Sequence, residues 1–267
     1  MTDAIAGLNA LPVSVREQLY MRLIPEELLV RYGVDRRGLG GAPGERLVRI
    51  TSGEERSWAR VELRAREHDL DPVLLVDVGM SAFGAPELSL VQINDPDGVR
   101  YGIDRDADGH ETLLGTAGRN LAEEARALRD GLAPGQVRPG LRMLRRVLET
   151  MDSFCGLLGC DFYLVEPLFY HSALLYERHG CDYFTGRDRM EAIHAGFQPD
   201  GALRARLDGS SPFRRPGFEA TIRGRSWAIH DGVLGQPFCD GVSGVNVKMY
   251  RVPGRAAGVC TFPNAAY

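Results

Sequence analysis

The sequence predicts a mixed α/β (α+β) fold: a mostly antiparallel sheet flanked by helices, with a C-terminal extension. Two observations carry that prediction. Between residues 46 and 93 stand four short runs rich in branched residues, several alternating polar with apolar, the pattern of half-buried antiparallel strands. Residues 136–186 then read as loop, helix, strand, helix, strand, the succession of an α/β sandwich. Composition sets the outer bounds. With 267 residues, 44% hydrophobic and 25% charged, the chain is an ordinary globular one that can bury a large core. A net charge of -4 gives no general attraction to nucleic acid or to an anionic membrane. No apolar run approaches the ~20 residues needed to cross a bilayer. The first residues carry no basic start before their apolar ones, so a soluble cytoplasmic protein is expected. Five cysteines, Cys155, Cys160, Cys181, Cys239 and Cys260, are odd in number and form no C-x-x-C pair, which reads as buried thiols rather than a disulfide framework.

Taken in order, residues 1–44 form an N-terminal helical segment. Residues 13–33 hold two short helices, the second opening at Pro25 and stopping at Gly33, and 36–44 is a flexible connector. The core, 45–187, opens with strands at 46–50, 59–64, 73–78 and 88–93. Asp95-Pro-Asp-Gly98 is turn chemistry, and Val99–Asp104 is expected to return as a hairpin partner. Asn120 caps the next helix, Glu123 should complete a reciprocal capping box, and Leu121, Ala125 and Leu128 form its buried stripe. A second helix carries Leu141, Leu144, Val147, Leu148 and Met151 on one face and stops at Gly156 and Gly159. Strand 161–166 ends before Pro167, a helix runs through Leu174, Leu175 and Arg178 to a stop at Gly180, and strand 181–185 follows. The remainder, 188–267, is an extension packing on the core. It opens with a helix at 188–195, leaves 198–216 without regular structure, and adds strands at 223–232 and 245–250. Such an extension can complete the sheet, cover a pocket, or make a subunit interface such as that of a homodimer.

The string Ala173-Leu-Leu-Tyr-Glu-Arg-His-Gly180 resembles the last helix of the GNAT superfamily of acyl-CoA-dependent N-acyltransferases, which ends in Leu-Tyr-x-x-x-Gly-Phe. Gly140 stands where that family places the first glycine of its pyrophosphate loop, so the resemblance covers residues 136–186. Val137, Arg142, Phe169 and Cys181 occupy places where the family has other residues, Arg142 replacing a Gly or Ala. The resemblance implies acetyl-CoA or another acyl-CoA as donor and an amine of a small molecule or protein as acceptor. It implies that Arg138, Gly140, Leu141 and Arg142 hold the pyrophosphate at a helix start, aided by Arg145 and Arg146. Tyr176 would protonate the departing thiolate, and Glu166, at a strand end, would take the proton of the amine.

Other patterns need no family. Glu191 and His194 share a helix face, and with His171 and His230 they offer nitrogen and oxygen ligands suited to zinc or ferrous iron. Asp104-x-Asp106-x-Asp108-Gly109 copies the opening of a calcium loop, but Gly115 stands where the bidentate glutamate belongs, so it reads as an acidic loop that holds nothing tightly. Arg223, Arg225 and Trp227 alternate on one side of the 223–232 strand, a guanidinium pair beside an aromatic wall that suits a carboxylate or phosphate on an apolar ligand. Three functions follow: an N-acyltransferase, a metal-dependent enzyme with a His/Glu site, or a non-catalytic ligand-binding protein on the same fold.

Overall fold

A computed structural model describes residues 3–42, 44–52, 57–235, 246–263 and 265–267. In chain order it holds α1 (Ala4–Asn9), α2 (Val13–Tyr20), α3 (Glu26–Arg31), β1 (Val48–Ser52), β2 (Trp58–Leu63), β3 (Leu74–Met80) and β4 (Pro86–Ile93). Then come α4 (Leu121–Arg129), α5 (Leu144–Leu157), β5 (Tyr163–Val165), α6 (Tyr170–Arg178), β6 (Asp182–Thr185), α7 (Arg187–Gly196), α8 (Ala202–Ala205), α9 (Ile222–His230) and β7 (Lys248–Arg251). The class is the mixed α/β one that the sequence predicts, with mostly antiparallel strand pairing and flanking helices. Two compact units are each assembled from separate stretches of chain. The first takes Met1–Gly98, Gly140–Glu166 and Tyr250–Ala256, and the second Val99–Pro139, Pro167–Met249 and Ala257–Tyr267.

In the first unit β1 to β5 lie side by side in sequence order, antiparallel up to β4 and parallel between β4 and β5. Period-two patterning decides which face is buried. Ala59, Val61 and Leu63 of β2 stand opposite Val78, Val76 and Leu74 of β3, all fully buried. Between them Arg60 faces Asp77 and grips it with two bonds of 2.7 Å. Val78 pairs with Leu88 but Asp77 with Leu90, so Ser89 is the extra residue of a bulge in β4. The parallel register is short: Glu87 faces Leu164, Leu88 faces Val165, and the Glu166 amide donates to the Leu88 carbonyl at 3.1 Å. Past that point β4 continues from Ser89 to Ile93 without β5 beside it. Val147, Leu148, Met151, Phe154 and Cys155 form the buried stripe of α5, and Phe154 stacks on Tyr20 with ring centres 5.8 Å apart. The Tyr163 hydroxyl at the start of β5 donates to Asp152 of α5 at 2.9 Å.

The second unit is built on Tyr101, Ile103, Ala127, Leu132, Val137, Phe213 and Trp227. Trp227 stacks on Phe213 and donates its indole N–H to the Leu132 carbonyl at 2.8 Å, so the polar edge of the largest core side chain is satisfied. Gly135 adopts φ +79°, and a Cβ there would lie 2.3 Å from the Phe169 ring, so the ring packs on bare backbone.

Several expected elements change. Val99–Asp104 is no strand: the Tyr101 amide donates to the Val137 carbonyl at 2.8 Å, and the Tyr101 and Ile103 side chains enter the second-unit core. The Asp95–Gly98 turn does form, its 3.1 Å amide-carbonyl bond turning the chain without a hairpin. Residues 223–232 form helix α9 instead of a strand, because Thr221 caps its first turn by accepting from the Gly224 amide. Asn120 caps α4 as expected, but Glu123 turns away and accepts from the Gly102 amide at 2.7 Å, leaving the box half made. Leu121 is 57% exposed, and the fully buried positions of α4 are Glu124 and Ala127. Leu141 precedes α5 instead of belonging to its stripe. The helix α1, capped by Asp3, has no counterpart among the expected elements. Of the cysteines, Cys155 and Cys181 are buried, Cys160 is half-buried, Cys260 is exposed, and Cys239 lies outside the described residues, as does Val245 of the last expected strand.

Candidate functional site

In the first unit the segment before α5 has the features that an anion site requires. Gly140 is exposed, and Arg142, two residues on, adopts the left-handed conformation with φ +58°. The chain then enters α5 at Met143, which makes no side-chain capping bond. Arg145 and Arg146 bond Glu149 at 2.9 and 2.8 Å, and Arg146 also meets Glu27 at 3.0 Å, so their charge is balanced. Arg142 is exposed and makes no ion pair among the described residues. The link between α5 and β5 is short, so α5 runs back along the strand and its start lies toward the end of β5 that carries Glu166. Glu166 is exposed there.

In the second unit Tyr176 lies on α6, 5% exposed, and its hydroxyl has no hydrogen-bond partner among the described residues. Burial pushes the phenol up, with the neighbouring Cys181 adding to it, so the group keeps its proton at neutral pH. Arg138 belongs to this unit and is half-buried.

The chain matches no family model, no curated protein and no solved structure.

The four residues considered for a metal are not gathered into one group. Glu191 is exposed and pairs with Arg187 at 2.9 Å, because their i,i+4 spacing joins them on the outer face of α7. His194 bonds Gln198 through Nε2 and Arg225 through Nδ1. His171 and His230 do come close, packing on the same Phe169 ring with ring centres 5.6 and 5.7 Å away. Each already has a partner: Nδ1 of His171 meets Ser226 Oγ at 2.9 Å, and Nε2 of His230 meets Glu124 at 3.2 Å. Three other groups, Asp106, Asp108 and His110, bring one ligating atom each within 4.8 Å of one another, in the loop whose sequence copies a calcium-site opening. Trp227 is core, and Arg223 lies over the Tyr267 ring at 5.1 Å. Arg225 is buried on α9, where a two-residue step turns it about 200° away from Arg223 and from Trp227, so the three do not share the face that a strand would give them.

Sequence reasoning missed the ionic network around His230. Glu124 accepts from Arg119 at 2.5 and 2.9 Å; Arg119 also reaches Asp231 at 2.8 Å, and Asp231 accepts from Arg214 and Ser211 at 2.8 and 2.7 Å. Burial raises the Glu124 carboxyl, but the bonds from His230 and Arg119 outweigh it and hold the group below its ordinary value. Gly115, at φ +86°, gives His230 its room, since a Cβ there would lie 3.1 Å from the imidazole.

His171 is also held below its ordinary value, but here burial itself does it. Burial, followed by the nearby His230 and Arg223, lowers it from 6.5 to about 3. The unfolded chain therefore binds this proton first as the pH falls below 6.5, and the fold loses stability between there and about 3. The expected loss is about 1.4 kcal/mol per pH unit from this group. Thermal midpoints across that window should fall less steeply by one proton in His171→Gln, and equal slopes would remove the assignment.

Proposed function

We propose that the chain is an acyl-CoA-dependent N-acyltransferase, moving an acetyl or longer acyl group to an amine of a small molecule or protein. The observation that carries this reading is the left-handed Arg142, two residues past Gly140, leading into an uncapped α5. The residue type departs from glycine, but the backbone keeps the conformation a glycine would favour, as before a helix whose first amides hold a diphosphate. Support comes also from the parallel β4–β5 pair, whose register ends at Leu88 and Val165 while β4 runs on to Ile93. The donor supplies an activated thioester carbonyl. The resemblance gives the role of base for the attacking amine to Glu166 and that of acid for the departing sulfur to Tyr176, which burial keeps protonated.

Acetyl-CoA at a hundredfold excess over its Kd should stabilise the protein by about 2.7 kcal/mol. For a chain of this size that raises Tm by roughly 5–10 °C. No shift at millimolar acetyl-CoA would end the proposal. A shift without amine-dependent release of free thiol would point instead to a ligand-binding protein.

A further inference from the structure

Arg225 is 2% exposed, yet among the described residues no carboxylate pairs with it. Its Nε donates to the Glu219 carbonyl at 2.7 Å, and Nη1 meets His194 Nδ1 at 3.2 Å. Its guanidinium carbon lies 3.5 Å from the ring centre of Phe262 and 4.9 Å from that of Phe197. Beside it Tyr170 is 1% exposed, and its phenol oxygen faces Arg225 and makes no other hydrogen bond among the described residues. A cation withdrawn from water with only neutral groups around it is a costly arrangement that an anion would relieve. Nη2 and the Tyr170 hydroxyl are the donors left to meet two carboxylate oxygens.

Phe262 belongs to the segment Ala257–Tyr267, in which Thr261 is the buried residue among those described. The segment is anchored by the Thr261 amide and hydroxyl, which donate to Glu177 at 3.0 and 2.6 Å, and by the Ala266 carbonyl, which accepts from the Ile222 amide at 2.9 Å. Phe262 itself is half-buried, its ring centre 5.2 Å from that of His194. We propose that Arg225 and Tyr170 form a site for a small carboxylate bearing an apolar group, and that the Phe262 ring fills the place of that group until the ligand enters. This inference does not depend on the acyltransferase reading.

Isothermal titration of the full chain with phenylacetate tests it, with neutral phenylacetamide as the isostere. Phenylacetate should bind at least about tenfold more tightly than the amide, and Phe262→Ala should tighten its binding about tenfold by removing the competing ring. Because Arg225→Gln removes a buried cation and can unfold the chain, Tyr170→Phe serves as the second variant. It should weaken phenylacetate several-fold with Tm unchanged. Equal binding of acid and amide, or no binding to Phe262→Ala at about 10 mM phenylacetate, overturns the proposal.

Discussion

On the proposed acyltransferase reading, replacing Tyr176 with phenylalanine is expected to lower kcat for acyl transfer by about 10²–10³-fold, while Tm and the affinity for acetyl-CoA stay near those of the parent. The two halves of this expectation rest on different facts. The ring is buried in α6 and the variant keeps it, so packing is preserved. The hydroxyl has no partner among the described residues, so removing it breaks no hydrogen bond that stabilises the fold. What disappears is a proton donor: the departing thiolate must take its proton from water. Thiol release measured at saturating amine and acetyl-CoA reads the effect directly. A kcat within about threefold of the parent would deny Tyr176 the acid role and leave the fold untouched.

Glu124→Ala should cost about 3–5 kcal/mol of stability, measured by urea unfolding. The Glu124 side chain is 1% exposed, and its loss leaves Arg119 with Asp231 alone and removes the partner of His230 Nε2. Glu124→Gln keeps the shape and an acceptor oxygen, so its cost should be smaller. A loss below about 1 kcal/mol for the alanine variant would mean that solvent reaches this network far more freely than its burial implies.

The first unit is the part of the fold most legible in sequence. Strand β2 buries one side chain in two, and α5 buries one stripe in a 3.6-residue period, so their patterns speak for themselves. Helix α9 hides for the opposite reason. Residues Gly224 to Ile229 are all buried, including Arg225 and Ser226, so no polar face marks a helical period, and the Arg-Gly-Arg-Ser-Trp spacing imitates a strand. The start of α5 is read too early, at Leu141, because the left-handed state of Arg142 delays the helix to Leu144 and arginine carries no signal for positive φ. The Arg119–Glu124–Asp231 network escaped because its members read as surface charges and Arg119 and Asp231 stand 112 residues apart. The sequence placed His230 near Asp231 and named His171, but only folding brings Ser226 and Glu124 to their rings.

The weaving of the chain between the two units bears on synthesis. The first unit closes with Tyr250–Ala256, so a nascent chain that has emerged through Gly98 has its first four strands but neither α5 nor that closing stretch. The first body stays incomplete in the nascent chain until Tyr250–Ala256 has emerged, and the second until Ala257–Tyr267 has. No single cut separates the two, so deletion analysis of this protein calls for circular permutants or split-and-complement pairs in place of simple truncation.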